Sequence, residues 1–369
     1  MMIEKIKVSN FRNLGSRIFN FSDNTTVIIG PNASGKTNIF ESLYLLSTGK
    51  SFRAKVQEEM ISYDEEVGRV KGRISQKKSN EGKESKDHTD LEITLTRGEI
   101  TVGESPKRTE KAPRKRLKVN GVVRRLIDFS GNFKVTLFAP WHLDLVTESP
   151  SGRRDFLDSV LSQIDREYRR AILSYSKGLR QRNKLLLRIR EEGLSRSQLL
   201  FWNKLLIKNG NYISEKRGEF INYANGTEGF DHHEFSLEYD KSAISEGRLE
   251  QYAKEEVAAA TTLVGPHRDD MQFSISNSQF SRAKRDLARY GSRGEQRMGV
   301  LWLKLAELSY IEEMSGEKPT LLLDDIFSEL DHEHREIVFG ISKNQQTIIT
   351  TADEHSIEGL KRVEKVELG

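Results

Sequence analysis

The sequence of 369 residues contains no cysteine. That absence removes thiol catalysis, iron–sulfur clusters, cysteine zinc sites and a disulfide-stapled secreted fold from consideration. No run of about eighteen apolar residues occurs, so no membrane-spanning helix is expected. The opening Met1-Met2-Ile3-Glu4-Lys5-Ile6 lacks the apolar stretch of a signal peptide, and a soluble cytoplasmic protein is the expectation. There is no internal repeat. Nor does one sign of charge prevail, with 59 Lys+Arg against 55 Asp+Glu and a formal net charge of +4. What remains suffices for folding: 36% apolar residues supply a core, and the length fits two or three structural units.

The near-balance of charge conceals segregation. Between Pro106 and Arg125 nine basic residues (Lys107, Arg108, Lys111, Arg114, Lys115, Arg116, Lys118, Arg124, Arg125) face the single acid Glu110. From Ser151 to Phe220 sixteen basic residues face eight acidic ones, a net of +8. Such regions suit a polyanion partner; a solvated loop and a charged helix face are the plainer alternative.

Strand chemistry opens the chain, with Ile3, Ile6 and Val8 leading to Phe11, and with the β-rich run Thr25-Thr26-Val27-Ile28-Ile29 stopping at Gly30. Ile39, Leu43 and Leu46 then share one helical face. Gln76–Asp87 is almost wholly polar and reads as a surface excursion between strands. Leu91–Leu95 alternates like a strand, and Lys118–Val123 reads as a hairpin turning at Asn120-Gly121. After Pro150 the period changes. Leu157, Leu161, Ile164, Tyr168, Ile172, Tyr175 and Leu179 predict one long helix, and Leu199, Trp202, Leu205, Leu206 and Ile213 a second, together an antiparallel arm. Strand chemistry returns at Phe235–Tyr239, and a strand–helix–strand unit runs from Leu321 to Thr350. The expected fold class is α/β: a nucleotide-binding head built from both chain ends (1–150 and 261–369) with a helical arm, or lid, inserted at 151–260.

Gly30-Pro31-Asn32-Ala33-Ser34-Gly35-Lys36-Thr37 matches the phosphate-binding pattern G-x-x-x-x-G-K-[ST] in full. Glycines let backbone N–H groups curl around phosphate oxygens, and the following helix points its positive end at them. Lys36 is the charge for the β/γ-phosphates and Thr37 the hydroxyl for Mg²⁺. By composition such a string arises by accident roughly once in a hundred chains of this size, and here it also sits between a strand and a helix. At the other end, Pro319-Thr320-Leu321-Leu322-Leu323-Asp324-Asp325 is a buried strand closing on two carboxylates. Asp324 is the candidate for holding Mg²⁺. Asp325 is either the general base for the attacking water or the cap of the next helix.

With Ser328-Glu329-Leu330-Asp331 and Tyr290-Gly291-Ser292-Arg293-Gly294-Glu295-Gln296-Arg297 added, the chain resembles the ABC-type ATPases of the SMC branch. Within that branch it is most similar to the RecF family. Ser9–Leu14, Gly49–Arg53, Ser151–Asp158 and Gly265-Pro266-His267-Arg268-Asp269-Asp270 extend the resemblance in order along almost the whole chain. The resemblance implies that two heads sandwich two ATP molecules, as an ATP-dependent homodimer with weak ATPase activity. Ser292 and Gly294 match the signature motif that contacts the γ-phosphate held by the opposite subunit. Asp331 matches the aspartate at the dimer seam, and Arg12 and Asn13 match residues near the nucleotide. It further implies ATP and Mg²⁺ as cofactors, single- and double-stranded DNA bound without sequence preference, and a role in recombinational DNA repair, the SOS response and fork maintenance. RecR, RecO and RecA are the implied partners. Rival readings are another SMC-like ATPase, for defence or chromosome handling, and a nucleotide-binding DNA module without turnover.

Lys115, Arg116, Arg180, Arg182 and Lys184 are the candidate DNA-phosphate contacts. The sequence departs from the family at Arg293 and Glu295, has Asp325 where most ABC proteins carry glutamate, and has no glutamine beside Phe138-Ala139-Pro140. Thr350-Thr351-Ala352-Asp353 lacks the switch histidine. His267 and Arg268 are either structural or functional. His332-Glu333-His334 reads as a solvated helix start, not a metal site.

Overall fold

Thr25–Ile29 is the fourth of five strands in a parallel sheet, one in from its edge. Four of its five residues are buried, as β-branched strands covered on both faces are. Its neighbours are Thr347–Thr351 on one side and Val363–Glu367 on the other; Thr320–Asp324 and then Val135–Phe138 complete the order. The computed structural model describes residues 1–80, 83–103, 108–229, 232–277, 281–328, 330–360 and 363–368. Glu329 of the Ser328–Asp331 string, and Pro106 and Lys107 of the first basic run, lie outside them.

The chain divides into two units, Met1–Trp141 with Ile311–Gly369, and His142–Tyr310. In the first, a six-stranded antiparallel sheet joins the parallel one, in the order Ser16–Asn20, Met2–Ser9, Val67–Asn80, Lys83–Thr96, Lys115–Val119, Val122–Arg124. The helix Lys36–Thr48 supplies Ile39, Phe40, Leu43 and Leu46 to one core cluster shared with Ile3, Ile6, Val8, Leu91 and Ile93 of this sheet and Ile28, Val135, Leu322 and Ile348 of the parallel one. Each such side chain stabilises the unit by about 1.5–3 kcal/mol. Ile3 and Ile6 are both buried at odd spacing because the register shifts between Ile3 and Lys5. Gln346, also buried, clasps the two sheets. Its Oε1 accepts from Ile3 N (2.8 Å) and Thr320 Oγ1 (3.0 Å), and its Nε2 donates to the carbonyls of Ile3 (2.7 Å) and Ser22 (2.8 Å).

The Asn120-Gly121 hairpin forms as the dipeptide requires, with φ of 49° and 78°. The polar stretch does not: Val67–Asn80 pairs with Lys83–Thr96 as far as Asn80↔Lys83, so the expected excursion over Gln76–Asp87 is the outer end of a ladder, exclusive of residues 81 and 82. Backbone pairing there is indifferent to side-chain polarity.

In the second unit the predicted long helix breaks at Asp165 into Pro150–Ile164 and Arg166–Glu192. The Asp165 carboxylate caps the latter by accepting from Glu167 N (2.8 Å) and Tyr168 N (3.0 Å), a local signal that apolar periodicity does not carry. The arm pairs Arg166–Glu192 with Leu200–Asn225. His233–Asp240, Asp270–Asn277 and Ser281–Asp286 form a three-stranded sheet. This unit runs beyond 151–260 because Asp270–Asn277 pairs with His233–Asp240 along its full length, and Arg153 holds Asp270 at 2.7 and 3.0 Å.

Candidate nucleotide site

Past Ile29 the chain turns through Gly30–Gly35 into the helix beginning at Lys36. Ala33 (φ 67°) and Gly35 (φ 104°) take left-handed backbone, and a Cβ on Gly35 would lie 2.8 Å from Asn13 Oδ1. Lys36 is buried. Its ammonium donates to the carbonyls of Gly30 (2.6 Å) and Pro31 (2.9 Å), closing the loop on itself. Asn13 braces the loop from outside, donating to Ala33 O (3.2 Å), while its Oδ1 accepts from Asn38 (2.6 Å). Ser34 Oγ is buried and makes no hydrogen bond among the described residues.

The loop forms one wall of a cavity of about 910 Å³, also lined by Arg12, Asn13, Thr37, Arg53, Asp324 and Asp325. Asp324 ends its strand 2% exposed, with Oδ1 accepting from Thr350 Oγ1 at 2.6 Å. Its Oδ2 makes no hydrogen bond among the described residues. Burial pushes this carboxyl up, and the Thr350 and Thr37 hydroxyls only partly offset that. An orphaned buried carboxylate oxygen beside a hydroxyl is a donor set that fits Mg²⁺, with Thr37 and Asp324 as the holders. Asp325 stands at φ 51°, its N–H on Thr350 O (3.1 Å), an unfavourable backbone for a residue with a Cβ and one that turns its side chain out of strand direction at the cavity wall. Thr351 Oγ1 bonds Asp353 O (2.9 Å), and Asp353 caps the short turn after it.

Ser292 and Gly294 belong to the second unit, at the exposed start of the helix Arg293–Ser315. Ser292 Oγ accepts from Glu295 N (3.2 Å) and Glu295 Oε2 from Ser292 N (2.8 Å), a reciprocal capping box. Burial raises the Glu295 carboxyl, but the Ser292 bonds and Arg285 outweigh it and hold it below the usual range. The departure at Glu295 therefore builds the helix start. Gln296 is buried and donates to Leu287 and Gly291 carbonyls. Asp331 caps His332–Ser342, accepting from His334 N (3.0 Å) and facing the His334 ring at 2.6 Å; the backbone bond holds its carboxyl low.

The Gly265–Asp270 string is a polar knot. Arg217, 2% exposed, reaches Asp269 (3.0 Å), Asp158 (2.9 Å) and Pro266 O (2.7 Å), and Tyr239 donates to Asp269. His267 lies between the Tyr175 hydroxyl (2.8 Å) and Thr262 O (3.0 Å), so the neutral ring donates from Nε2 and accepts at Nδ1. Burial pushes its pKa down from 6.5 to about 4. The unfolded chain thus binds a proton between pH 6.5 and 4 that the folded one refuses. Stability from His267 is fully present above pH 6.5 and is lost as pH falls through 4, by up to about 3 kcal/mol. Urea midpoints at pH 7.5 and 4.5 will show this loss, and His267→Gln will reduce it, leaving the part due to buried His142, whose pKa burial also lowers.

The DNA candidates divide. Arg182 is a correction: it is 2% exposed, paired with Glu256 (2.6 Å) and bonded to Thr262 and Asn203, and so is unavailable to a phosphate. Lys115 is half-buried, with its ammonium on Gly49 O (2.9 Å) and its pKa lowered by that burial. Arg116, Arg180 and Lys184 are exposed. Exposed Arg166, Arg170, Lys177 and Lys184 follow helical spacing along Arg166–Glu192; choosing residues by composition missed Lys177, which the 3.6 period would have found.

The family model for the RecF/RecN/SMC N-terminal domain matches residues 2–368. The DNA replication and repair protein RecF of Herpetosiphon aurantiacus is 33% identical over 383 residues, covering 96% of this chain and 94% of its own. Among solved structures, the recombination mediator protein RecF-ATPrS in the RecFOR pathway superposes with a TM-score of 0.82 at 29% identity, covering 99% of this chain and 96% of that one. The RecF-ATP structure gives 0.80 at 30% identity, covering 96% and 93%.

Proposed function

This chain belongs to the RecF family of ABC-type ATPases, and on that premise we propose that it is an ATP-dependent DNA-binding protein of recombinational repair. The observation that carries the reading is the buried Asp324 carboxylate beside the Thr37 hydroxyl in the cavity walled by the Gly30–Thr37 loop. The loop N–H groups and Lys36 bind the triphosphate. Thr37 and Asp324 would hold Mg²⁺, which when bound would supply positive charge against the phosphates. Asp325 takes the proton of the attacking water; Arg12 and Asn13 hold the loop and its mouth.

Ser292, at the exposed start of its helix, offers a donor to the γ-phosphate held by a second copy, so ATP drives a homodimer. DNA follows the basic stripe of the arm helix, with Arg180 and Lys184; Arg116, exposed on the other unit, is a separate candidate phosphate contact. Such contacts give affinity without sequence reading and a steep loss with salt. By family resemblance the closed dimer works with RecR and RecO in loading RecA at gapped DNA and stalled forks, and hydrolysis times its release. The test is complementation: Lys36→Ala and Ser292→Arg will each be inactive alone, and mixing them will restore turnover, because one intact composite site forms per mixed dimer. Two inactive proteins that stay inactive when mixed would sink the shared site. Sedimentation of Asp325→Asn with ATP and Mg²⁺ will show a dimer.

A further inference from the structure

We propose that Glu41 is a positioning residue: one fully buried carboxylate that aims two guanidiniums, those of Arg12 and Arg53, at the phosphate end of the nucleotide cavity. The proposal rests on the reading of the Gly30–Thr37 loop as an ATP site and adds the residue that arms its mouth. Glu41 lies on the helix Lys36–Thr48 with its side chain 0% exposed. Its Oε1 accepts from Arg12 Nη2 (2.7 Å) and from the Ser51 hydroxyl (2.5 Å), and its Oε2 from Arg12 Nε (2.8 Å). Arg53 Nη2 approaches Oε2 at 3.3 Å. Both arginines line the cavity with Lys36 and Thr37, whereas Glu41 does not.

The grip is unequal. Arg12 is held by a two-bond fork, the strong geometry for this pair, and its Nη1 also donates to Glu59 O at 2.5 Å. Its backbone is pinned in the left-handed region (φ 53°), with its N–H on Met60 O (3.0 Å) and its carbonyl accepting from Ser62 Oγ (2.6 Å). Arg53 makes one longer contact, is 43% exposed, and donates to Asn38, which in turn holds Asn13 against the loop. Ser51, besides bonding Glu41, accepts from Arg53 N (3.0 Å) and Ala54 N (2.8 Å), which folds the Arg53 segment toward the helix. One carboxylate against two guanidiniums leaves this cluster a positive charge in excess. An arriving polyphosphate can therefore draw Arg53 without stripping Glu41, since Arg12 stays on it.

The experiment measures ATP and ADP dissociation constants for the full chain, for Glu41→Gln, for Arg12→Gln and for the double variant, with thermal unfolding in the absence of nucleotide. Glutamine keeps the shape but cannot accept from both fork nitrogens and carries no charge. ATP affinity of Glu41→Gln should fall about tenfold. In the Arg12→Gln background the same change should cost only about twofold to threefold, because most of its effect runs through the tightly held Arg12 and only the weaker Arg53 contact remains. Unchanged affinity, or losses that simply add, would overturn the proposal, as would equal loss accompanied by a lowered melting temperature, which marks a merely structural role. If Glu41→Gln does not fold, Ser51→Ala tests the cluster from its neutral member, with a smaller loss that is reduced, though not abolished, beside Arg12→Gln because Ser51 also holds the Arg53 segment. Should the unaltered chain show no ATP binding, it is the reading of the site that fails and not the role of Glu41.

Discussion

Turnover of ATP by Lys36→Ala will fall by about 10²–10³-fold, the cost of removing a preorganised charge from a site where phosphate charge builds up. Lys36 is the ammonium within the loop itself, and without ligand it already sits on Gly30 and Pro31 carbonyls, so it needs little reorganisation to meet a phosphate oxygen. Alanine deletes both that charge and the internal clasp. The apo protein should stay folded, because Lys36 is not among the apolar cluster residues that hold the helix to the sheets. Stabilisation by ATP should disappear: ligand at a hundred times its dissociation constant adds about 2.7 kcal/mol to a protein that binds it. Thermal unfolding with and without Mg²⁺-ATP, beside single-turnover hydrolysis, measures both. A retained ATP-dependent shift together with retained turnover would place the chemistry elsewhere.

The second large effect is on stability. Arg217→Met will destabilise the His142–Tyr310 unit by about 3–5 kcal/mol, because it strands Asp158 and Asp269 without their cation. Asp269 is fully buried, and its remaining bonds from Tyr239, Ser214 and Ser242 N carry no full charge to set against it. Adding Asp269→Asn should return part of the loss, since the amide needs no counter-charge; urea unfolding of the four proteins of that cycle reads the coupling. A loss below about 1 kcal/mol for the single variant would mean that solvent, rather than Arg217, satisfies the knot.

Local rules made the loop readable. A β-branched strand, a glycine pattern and a helical face follow one another within 25–48, and neighbouring residues alone set their geometry. The strand ending in Asp324-Asp325 was equally plain, since an apolar run that stops on two acids has few other uses. Glu41 was not readable, because a carboxylate inside an amphipathic helix looks like any surface acid until Arg12 and Arg53 arrive from distant positions. Arg182 misled for the opposite reason. Basic composition predicts solvent, and only the fold reveals that Glu256 and Thr262 enclose it. The capping by Asp165 and the Gln346 clasp are single polar residues whose partners cannot be inferred from spacing.

The place of Thr25–Ile29 between Thr347–Thr351 and Val363–Glu367 has a consequence for synthesis. On the ribosome the phosphate-loop strand emerges some 300 residues before either neighbour, a delay of roughly 15–60 s at ordinary elongation rates. Until then its apolar faces have no partner strand, while the inserted helices already hold every residue they need. Nascent chains should therefore acquire a protease-resistant 142–310 region before the 25–48 region, and removing Val363–Glu367 should silence a loop some 300 residues upstream of it.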